Sequence, residues 1–187
     1  MNLLLKKGFA VKVNAVVMKG VNEAEILDFV TWSAAEPVDV RFIEFMPFEG
    51  NRWEQEKVVT WQQMLDVVRN AYGAGIEPLP RKAHETVKQY RVIGGKGTFA
   101  VISTMSAPFC GDCNRMRLTA DGKMKNCLFS TSETDLLTPF RQGEDILDKI
   151  LHNISIKKEG LGGQFTTAIE KIEASQLQNR SMISIGG

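Results

Sequence analysis

Three cysteines lie close together in the second half of the chain, and the sequence contains no others. Two residues separate Cys110 from Cys113, and Cys127 follows after thirteen more, which gives the pattern Cys-x2-Cys-x13-Cys. Clustered thiolates are soft ligands that suit an iron–sulfur cluster or zinc. An odd number of cysteines argues against a simple disulfide framework. The spacing therefore predicts a metal site, and Arg115 and Arg117 would place fixed positive charge beside it.

The residues alone leave the metal undecided between an iron–sulfur cluster and zinc, and three incidental core cysteines are a further alternative. Structural zinc sites need four ligands, commonly from two Cys-x2-Cys knuckles, and this sequence has one such knuckle. His84 or His152 could supply a fourth ligand, although neither stands at ligand spacing. Three thiolates on a four-iron cluster would instead leave one iron open to a substrate nitrogen or oxygen.

The two arginines alternate with Cys113 along the chain. If residues 113–119 are extended, Cys113, Arg115 and Arg117 share one face of the strand. Two alternating charges more often lie on a solvated strand face. Their position beside the thiolates nevertheless favours phosphate binding, for which the paired donors of a guanidinium are well suited.

A turn that contains Gly122 decides whether Cys127 reaches the same face. A simple two-residue turn would place Cys127 on the opposite face of the hairpin. A turn with a bulge at Gly122 shifts the pairing by one residue and brings Cys127 opposite Arg115. The metal hypothesis therefore predicts a positive φ angle at Gly122 and pairing of Lys123 with Thr119.

The first half of the chain has the pattern of alternating strands and helices. Residues 9–18 and 40–45 are apolar runs typical of buried strands. Between them the sequence predicts a helix that starts at a capping box of Asn22 and Glu25 and ends before Pro37. The order strand–helix–strand with short connections predicts a right-handed unit with parallel strands.

Lys12 and Arg41 are charged residues inside these apolar strands. A buried charge is costly unless it is paired or functional. Both side chains could therefore point into a positively charged cavity. They could also reach solvent at a strand end or pair with Glu44.

A second capping box, Thr60 with Gln63, predicts the start of another helix. Its expected buried stripe consists of Met64, Leu65, Val68 and Tyr72. Beyond Gly73 the character of the chain changes, which places the expected domain boundary near 73–88. The later predicted elements are strands at 90–93 and 98–104 and helices near 133–141 and 144–156.

The composition is ordinary for a folded protein with a real core: of 187 residues, 43% are hydrophobic and 24% charged. A net charge of +1 gives no global attraction to nucleic acid or to a membrane surface. The sequence contains no apolar run of spanning length, and its first residues are too brief for a signal peptide. We therefore expect a cytoplasmic protein with reduced thiols and with no nucleic-acid or membrane partner.

Three segments of the chain have a recognisable pattern: Lys12-Val-Asn-Ala-Val-Val-Met-Lys-Gly20, Arg41-Phe-Ile-Glu-Phe-Met-Pro47 and Pro108-Phe-Cys-Gly-Asp-Cys-Asn-Arg-Met-Arg-Leu-Thr-Ala-Asp-Gly-Lys-Met-Lys-Asn-Cys-Leu-Phe129. They resemble the GTP 3′,8-cyclase family (molybdenum cofactor biosynthesis protein A), which belongs to the radical S-adenosylmethionine enzymes. The resemblance runs along essentially the whole chain, and its cysteine segment is highly specific. The end of the chain, Ile185-Gly186-Gly187, is also similar to that family's double-glycine end.

The resemblance implies an α/β fold. Residues 1–74 would be the C-terminal strands and helices of an incomplete (β/α)6 barrel. Residues 75–187 would form an α+β C-terminal domain with a second 4Fe–4S cluster and the Gly-Gly tail. By this resemblance Cys110, Cys113 and Cys127 hold that cluster, and its open iron binds the guanine of GTP.

The resemblance also implies the remaining site residues. Asn14 would lie beside the substrate, and Met46 would line the S-adenosylmethionine site. Because Met46 and Arg41 have opposite parity, Met46 is expected past the strand end, in a loop at the barrel mouth. Gly186 and Gly187 would enter the active site. The positions that match triphosphate contacts are Lys12, Arg41, Arg115 and Arg117.

By the same resemblance the complete enzyme is a lyase that converts GTP to 3′,8-cyclo-7,8-dihydro-GTP in molybdenum cofactor biosynthesis. Cyclic pyranopterin monophosphate synthase would act downstream. The chain lacks the family's Cys-x3-Cys-x2-Cys motif for a first 4Fe–4S cluster. We therefore expect it to bind substrate, to carry no catalytic residue of its own and to need the N-terminal half of the barrel for radical initiation. The resemblance also allows a second copy of the chain as a partner, in a homodimer.

Two functions of other classes remain open from the sequence. A zinc-binding structural or interaction module would use the same cysteines, and metal analysis separates it from an iron–sulfur protein. A ubiquitin-like carrier would use the Gly-Gly end as an acyl acceptor. Such carriers are short domains, whereas here two helices and a long basic segment precede the tail.

Overall fold

The computed structural model describes residues 1–80, 84–164 and 180–185. The chain divides into two compact units. The first consists of Met1–Met46 and Glu56–Phe109, and the second of Pro47–Gln55 and Cys110–Gly187. The domain boundary expected after residue 74 stays a prediction, although strands on both sides of that position belong to one sheet.

In the first unit, helices and strands alternate before a strand-rich stretch follows. The helices are α1 (Asn2–Lys6), α2 (Ile26–Ala35) and α3 (Trp61–Tyr72). The strands are β1 (Val11–Val17), β2 (Val38–Glu44), β3 (Ile76–Pro78), β4 (Val87–Val92) and β5 (Thr98–Ile102). The fold is therefore α/β, as the sequence predicts.

The five strands form one mixed sheet in the order β1-β2-β5-β4-β3. The pair β1–β2 is parallel, which confirms the parallel strands predicted for the strand–helix–strand unit. The pair β2–β5 is parallel as well. β4 pairs antiparallel with both β5 and β3. The strands β3 and β4 extend the sheet beyond the parallel part, and β3 has no clear apolar signal in the sequence.

Helices α2 and α3 cover one face of this sheet and enclose the core. The buried stripe predicted for α3 is confirmed, since Met64, Leu65 and Val68 are almost fully buried and Tyr72 packs against them. The sheet contributes Val11, Val17, Val38, Val40, Phe42, Phe99 and Val101 to the same core. The alternation predicted for β1 follows from this arrangement, because its odd-numbered residues face the helices and its even-numbered residues do not.

The two predicted capping boxes have different outcomes. At α3, Thr60 and Gln63 form both hydrogen bonds of the box. The box predicted at Asn22 is wrong: the Asn22 side chain makes no cap hydrogen bond. Its Oδ1 accepts from the Met18 backbone N–H at 2.8 Å, and its Nδ2 donates to the Val16 carbonyl. The side chain is thus occupied at the end of β1 and does not cap the following helix.

The second unit contains a small antiparallel sheet in the order β6-β7-β8. Its strands are β6 (Arg117–Leu118), β7 (Lys123–Lys125) and β8 (Thr134–Asp135). Helices α4 (Leu137–Arg141) and α5 (Leu147–Ser155) follow, and then a turn at Glu159–Gly162. Asn153 fixes α5 to this sheet, since its Nδ2 donates to the Thr134 hydroxyl at 2.7 Å and to the Met124 carbonyl at 3.3 Å.

The described helices are short, and none of them has both the length and the apolar character needed to cross a membrane.

Candidate functional site

The turn at Gly122 has the geometry that the metal hypothesis requires. Gly122 has a φ angle of +74°, and the Thr119 N–H donates to the Lys123 carbonyl at 2.9 Å. The pairing continues with Leu118 opposite Met124. Both parts of the prediction, the positive φ angle and the Thr119–Lys123 pair, are confirmed. The regular strand β6 is shorter than the stretch 113–119 that was expected to be extended.

Hydrogen bonds from the surrounding backbone and side chains hold the cysteines in place. Cys110 begins a 3₁₀ turn, and its carbonyl accepts from the Cys113 N–H at 3.2 Å. The Leu161 N–H donates to Cys110 Sγ at 3.3 Å. Lys157 Nζ lies 3.6 Å from Cys113 Sγ. All three cysteines of the chain are free and half-buried.

The three thiols act on one another electrostatically. Burial raises the pKa of the Cys127 thiol above its usual value, and negative charge on Cys110 and Cys113 raises this pKa further. The backbone N–H of Phe129 and the positive charge of Lys157 oppose this shift. Because a thiol must lose its proton to bind metal, burial and the other two thiols disfavour the ligand form of Cys127, and the two donors offset only part of this effect.

The described residues contain no ready-made group of ligands for a single metal ion. Over 1–80, 84–164 and 180–185, no three His, Cys, Asp or Glu side chains lie close enough together to hold one ion. The two histidines considered as a fourth ligand, His84 and His152, therefore complete no such group either.

Arg115 and Arg117 belong to the same environment as Cys127. Arg117 is half-buried, and this burial lowers the pKa of its guanidinium from the usual value. The charge of Arg115 lowers the same pKa, whereas Cys127 raises it. The second unit thus contains two guanidinium groups and three thiols that influence one another electrostatically.

Lys12, Asn14 and Arg41 share one face of the sheet in the first unit. The register places Lys12 beside Asp39 and Asn14 beside Arg41. This is the face that α2 and α3 leave uncovered, so Lys12 and Asn14 are exposed and Arg41 is half-exposed. The sheet therefore presents these three polar side chains together.

The partner of Arg41 is Asp39, a residue that the sequence analysis did not select. Arg41 Nε donates to Asp39 Oδ2 at 3.0 Å, and Nη2 lies 3.0 Å from the same oxygen. The other Asp39 oxygen accepts from the Thr98 hydroxyl, which in turn accepts from Gln89 Nε2. The spacing in the sequence could have indicated this ion pair, because residues 39 and 41 lie on the same face of a strand.

Glu44 lies on the opposite face from Arg41 and is completely buried. It therefore does not pair with the two cations, which was one of the alternatives. Its Oε1 accepts from the Trp61 N–H at 2.8 Å, and its Oε2 accepts from the Met105 and Ser106 N–H groups at 2.6 and 2.8 Å. The Ser106 hydroxyl also donates to this carboxylate. Glu44 thus ties the start of α3 to the loop after β5.

Met46 lies two residues beyond the end of β2, so the expectation that it follows the strand is confirmed. Its role in binding S-adenosylmethionine stays a prediction. Gly186 and Gly187 of the expected tail lie outside the described residues.

Lys157 is the residue of the thiol environment that sequence reasoning missed. Its Nζ donates to the carbonyls of Cys113 and Arg115, each at 2.9 Å. It stands thirty positions after Cys127, where no periodicity connects it to the cysteines. The available signal is its place just before a glycine-rich stretch, Gly160-Leu-Gly-Gly163.

The comparisons with known proteins agree with the motif analysis. The family model Molybdenum Cofactor Synthesis C matches residues 38–162. The chain is 45% identical over 179 residues to molybdenum cofactor biosynthesis protein 1 of Mus musculus. It is 40% identical over 182 residues to the mitochondrial GTP 3′,8-cyclase of Arabidopsis thaliana and 40% identical over 154 residues to GTP 3′,8-cyclase of Thermodesulfovibrio yellowstonii.

These matches cover most of this chain and a smaller part of each relative. They include 94%, 95% and 81% of the chain in the same order. The corresponding shares of the relatives are 27%, 44% and 48%, so the chain spans between a quarter and a half of their length. The family model covers both the strand that carries Arg41 and the complete cysteine segment. The chain therefore belongs to the Molybdenum Cofactor Synthesis C family.

Proposed function

We propose that this chain is the substrate-binding portion of a GTP 3′,8-cyclase, the lyase that converts GTP to 3′,8-cyclo-7,8-dihydro-GTP in molybdenum cofactor biosynthesis. Relatives with this name match most of the chain. The observation that carries the proposal is the group of three thiols and two guanidinium groups in the second unit. Soft metal ligands beside cationic donors suit a site for a metal cluster and a nucleotide phosphate.

Cys110, Cys113 and Cys127 would hold a 4Fe–4S cluster. The donor set fits this group, because all three thiols are free and each thiolate of such a cluster binds a different iron. When bound, the cluster supplies an open iron, a Lewis acid for a nitrogen or oxygen of guanine.

The cations of the chain would bind the triphosphate. Partial burial of Arg117 reduces competition from water, which strengthens a charge-assisted hydrogen bond to phosphate. The ion pair with Asp39 fixes the guanidinium of Arg41. Lys12 would add an ammonium contact to the triphosphate, and Asn14 would lie beside the nucleotide. Both residues share the open sheet face with Arg41.

The other parts of the reaction would need components beyond these residues. A first 4Fe–4S cluster would require cysteines that this sequence does not contain. The unit β1–α2–β2 would be part of an incomplete (β/α)6 barrel, with Met46 lining an S-adenosylmethionine site contributed largely by an N-terminal half. The product would pass to cyclic pyranopterin monophosphate synthase. Reduced thiols agree with a cytoplasmic location, and a homodimer would be compatible with this role.

The role of Arg117 gives a direct test of substrate binding. Arg117→Ala should weaken GTP binding by about 1.5–3 kcal/mol, because it removes a charge-assisted contact to phosphate. Arg115→Ala should have a smaller effect, since Arg115 is exposed and water competes for the same contact. Titration calorimetry with GTP on the anaerobically reconstituted chain measures both changes.

Guanosine and the exposed Arg141 provide the controls. Guanosine carries no phosphate, so Arg117→Ala should leave its affinity nearly unchanged, and Arg141→Ala should alter neither affinity. Equal loss of GTP and guanosine binding in Arg117→Ala would contradict the assignment and indicate a folding defect near the thiols.

A further inference from the structure

Lys157 joins the part of the chain after α5 to the cysteine segment. It lies two residues after the end of α5 and is half-buried. Its ammonium group donates to two backbone carbonyls, those of Cys113 and Arg115, each at 2.9 Å. These two carbonyls belong to a proposed cluster ligand and a proposed phosphate contact. One side chain therefore fixes the backbone of both residues.

The same ammonium group lies beside a ligand sulfur. Lys157 Nζ is 3.6 Å from Cys113 Sγ, within range of an N–H···S hydrogen bond. The three protons of an ammonium group can serve two carbonyls and one sulfur together. The two shorter hydrogen bonds to backbone carbonyls thus hold the positive charge of Lys157 next to the sulfur of Cys113.

A second donor reaches the thiols from the turn that follows. The Leu161 N–H lies 3.3 Å from Cys110 Sγ. Leu161 has a φ angle of +53°, which is unusual for a residue with a side chain. Its side chain is almost fully buried, and this packing retains the strained backbone. The segment 157–161 therefore directs one side-chain donor and one backbone donor at two different sulfurs.

We propose that Lys157 and the Leu161 N–H form a donor clamp that positions Cys113 and Cys110 and raises the reduction potential of the cluster they hold. The proposal rests on the proposed function, because it requires a cluster on these thiols. Reduction adds negative charge to a cluster. Hydrogen bonds to the ligand sulfurs and a nearby positive charge stabilise the reduced form, and the potential rises.

Substitutions at Lys157 test the clamp in the full 187-residue chain. Lys157→Met removes the charge and all donors, Lys157→Gln removes the charge but keeps N–H donors, and Lys157→Arg keeps the charge. Lys158→Met is the matched control, because Lys158 is the adjacent lysine and is exposed. Anaerobic reconstitution followed by iron and sulfide assays measures loading, and a redox titration followed by electron paramagnetic resonance measures the midpoint potential. Circular dichroism of each metal-free variant reports its fold.

The clamp predicts a graded series. Lys158→Met should match the unsubstituted chain in loading and in potential. Lys157→Gln should load a cluster with a more negative midpoint potential, and Lys157→Arg should restore most of the difference. Lys157→Met should lose part of its iron and sulfide while its metal-free form keeps the unsubstituted circular dichroism spectrum.

Two results would overturn different claims. If the unsubstituted chain loads a cluster and Lys157→Gln has the same potential and the same loading, the clamp is wrong and the proposed function stands. If the unsubstituted chain takes up no iron and no sulfide, the proposed function fails and the clamp fails with it. If metal-free Lys157→Met is unfolded, Lys157→Gln decides the role of Lys157. A more negative midpoint potential in Lys157→Gln would support the clamp, and an unchanged potential would leave Lys157 with a role in folding only.

Discussion

At the scale of single residues, Glu44 shows how a buried charge can serve the fold. A carboxylate without exposure to water is costly unless hydrogen bonds replace its solvation. Glu44 receives three backbone N–H groups and one hydroxyl, so both oxygens are satisfied. The charge stands at the first residue of α3, where the helix dipole also favours an anion.

Glu44→Gln tests this anchor. The amide replaces one acceptor oxygen with an NH₂ group that faces N–H donors, which leaves buried donors unsatisfied. We expect the free energy of unfolding to fall by about 1–3 kcal/mol, as measured by chemical denaturation. Glu36→Gln is the control, because Glu36 is exposed at the end of α2 and should change stability little. An unchanged unfolding free energy in Glu44→Gln would show that these hydrogen bonds contribute nothing net.

The partners of individual charges were the least predictable feature of the sequence. Parity correctly separated Arg41 from Glu44, because alternate residues of a strand face opposite sides. Parity could not decide whether the Arg41 side chain points into a cavity, reaches solvent or pairs with an acidic residue, and it did not identify Asp39 as the partner. Strand parity could not identify Lys157 either, for another reason. The contacts of Lys157 with the cysteine segment depend on the path of the chain after α5, which no local sequence pattern encodes.

At the scale of elements, the hairpin between β6 and β7 was predicted best. One parity argument fixed its register, because a single wrong residue would have turned Cys127 to the other face. The capping boxes show the limit of local patterns. Thr60 and Gln63 formed the box, whereas Asn22 bonded to the end of β1. Short elements such as β3 and β8 depend on their sheet partners and lack a signal of their own.

Gly122 carries the geometry of this hairpin and can be tested by substitution. Any residue with a Cβ at position 122 would have to adopt a φ angle of +74°, which is unfavourable for it. Its Cβ would also overlap the Leu137 side chain. Gly143 is a matched control, because it has a φ angle of +79° with nothing near an added Cβ. Gly143→Ala should cost about 1 kcal/mol of unfolding free energy, and Gly122→Ala should cost more. Gly122→Ala should also reduce iron loading. Equal destabilisation by the two substitutions would contradict the steric part of this account.

The same hairpin is joined to the C-terminal segment by ion pairs. Arg180 Nη2 lies 2.7 Å from Asp121 Oδ2, and its Nε lies 3.1 Å from Glu133 Oε1. The Arg180 guanidinium, followed by the Thr119 hydroxyl, holds the pKa of Asp121 well below the usual value for aspartate. A carboxyl group with a lowered pKa stabilises the folded state above its unfolded pKa, and this contribution is lost as the pH falls below about 4.

Asp121→Asn tests this pH dependence. The substitution removes the titrating group, so the variant should lose less stability than the unsubstituted chain between pH 5 and about pH 3. Chemical denaturation at several pH values measures the difference. Asp148→Asn, at an exposed position in the first turn of α5, should keep the unsubstituted pH profile. A profile of Asp121→Asn that parallels the unsubstituted chain would remove Asp121 as a source of acid sensitivity.

At the scale of the whole molecule, family membership and site chemistry support one another. The matched region contains Arg41 and all three cysteines, and the relatives that match it are named molybdenum cofactor biosynthesis protein 1 and GTP 3′,8-cyclase. The near-neutral charge of the chain means that only local groups of cations can attract an anion. Each unit presents such a group, with Lys12 and Arg41 in the first and Arg115 and Arg117 in the second.

The content of iron, sulfide and zinc in the reconstituted chain tests the central claim most directly. After anaerobic reconstitution, the account predicts about four irons and four sulfides per chain, with a brown chromophore that is lost on exposure to oxygen. Cys127→Ser should lower both values, because it removes one of the three ligands. One tightly bound zinc per chain without sulfide would contradict the account and identify these cysteines as a zinc site.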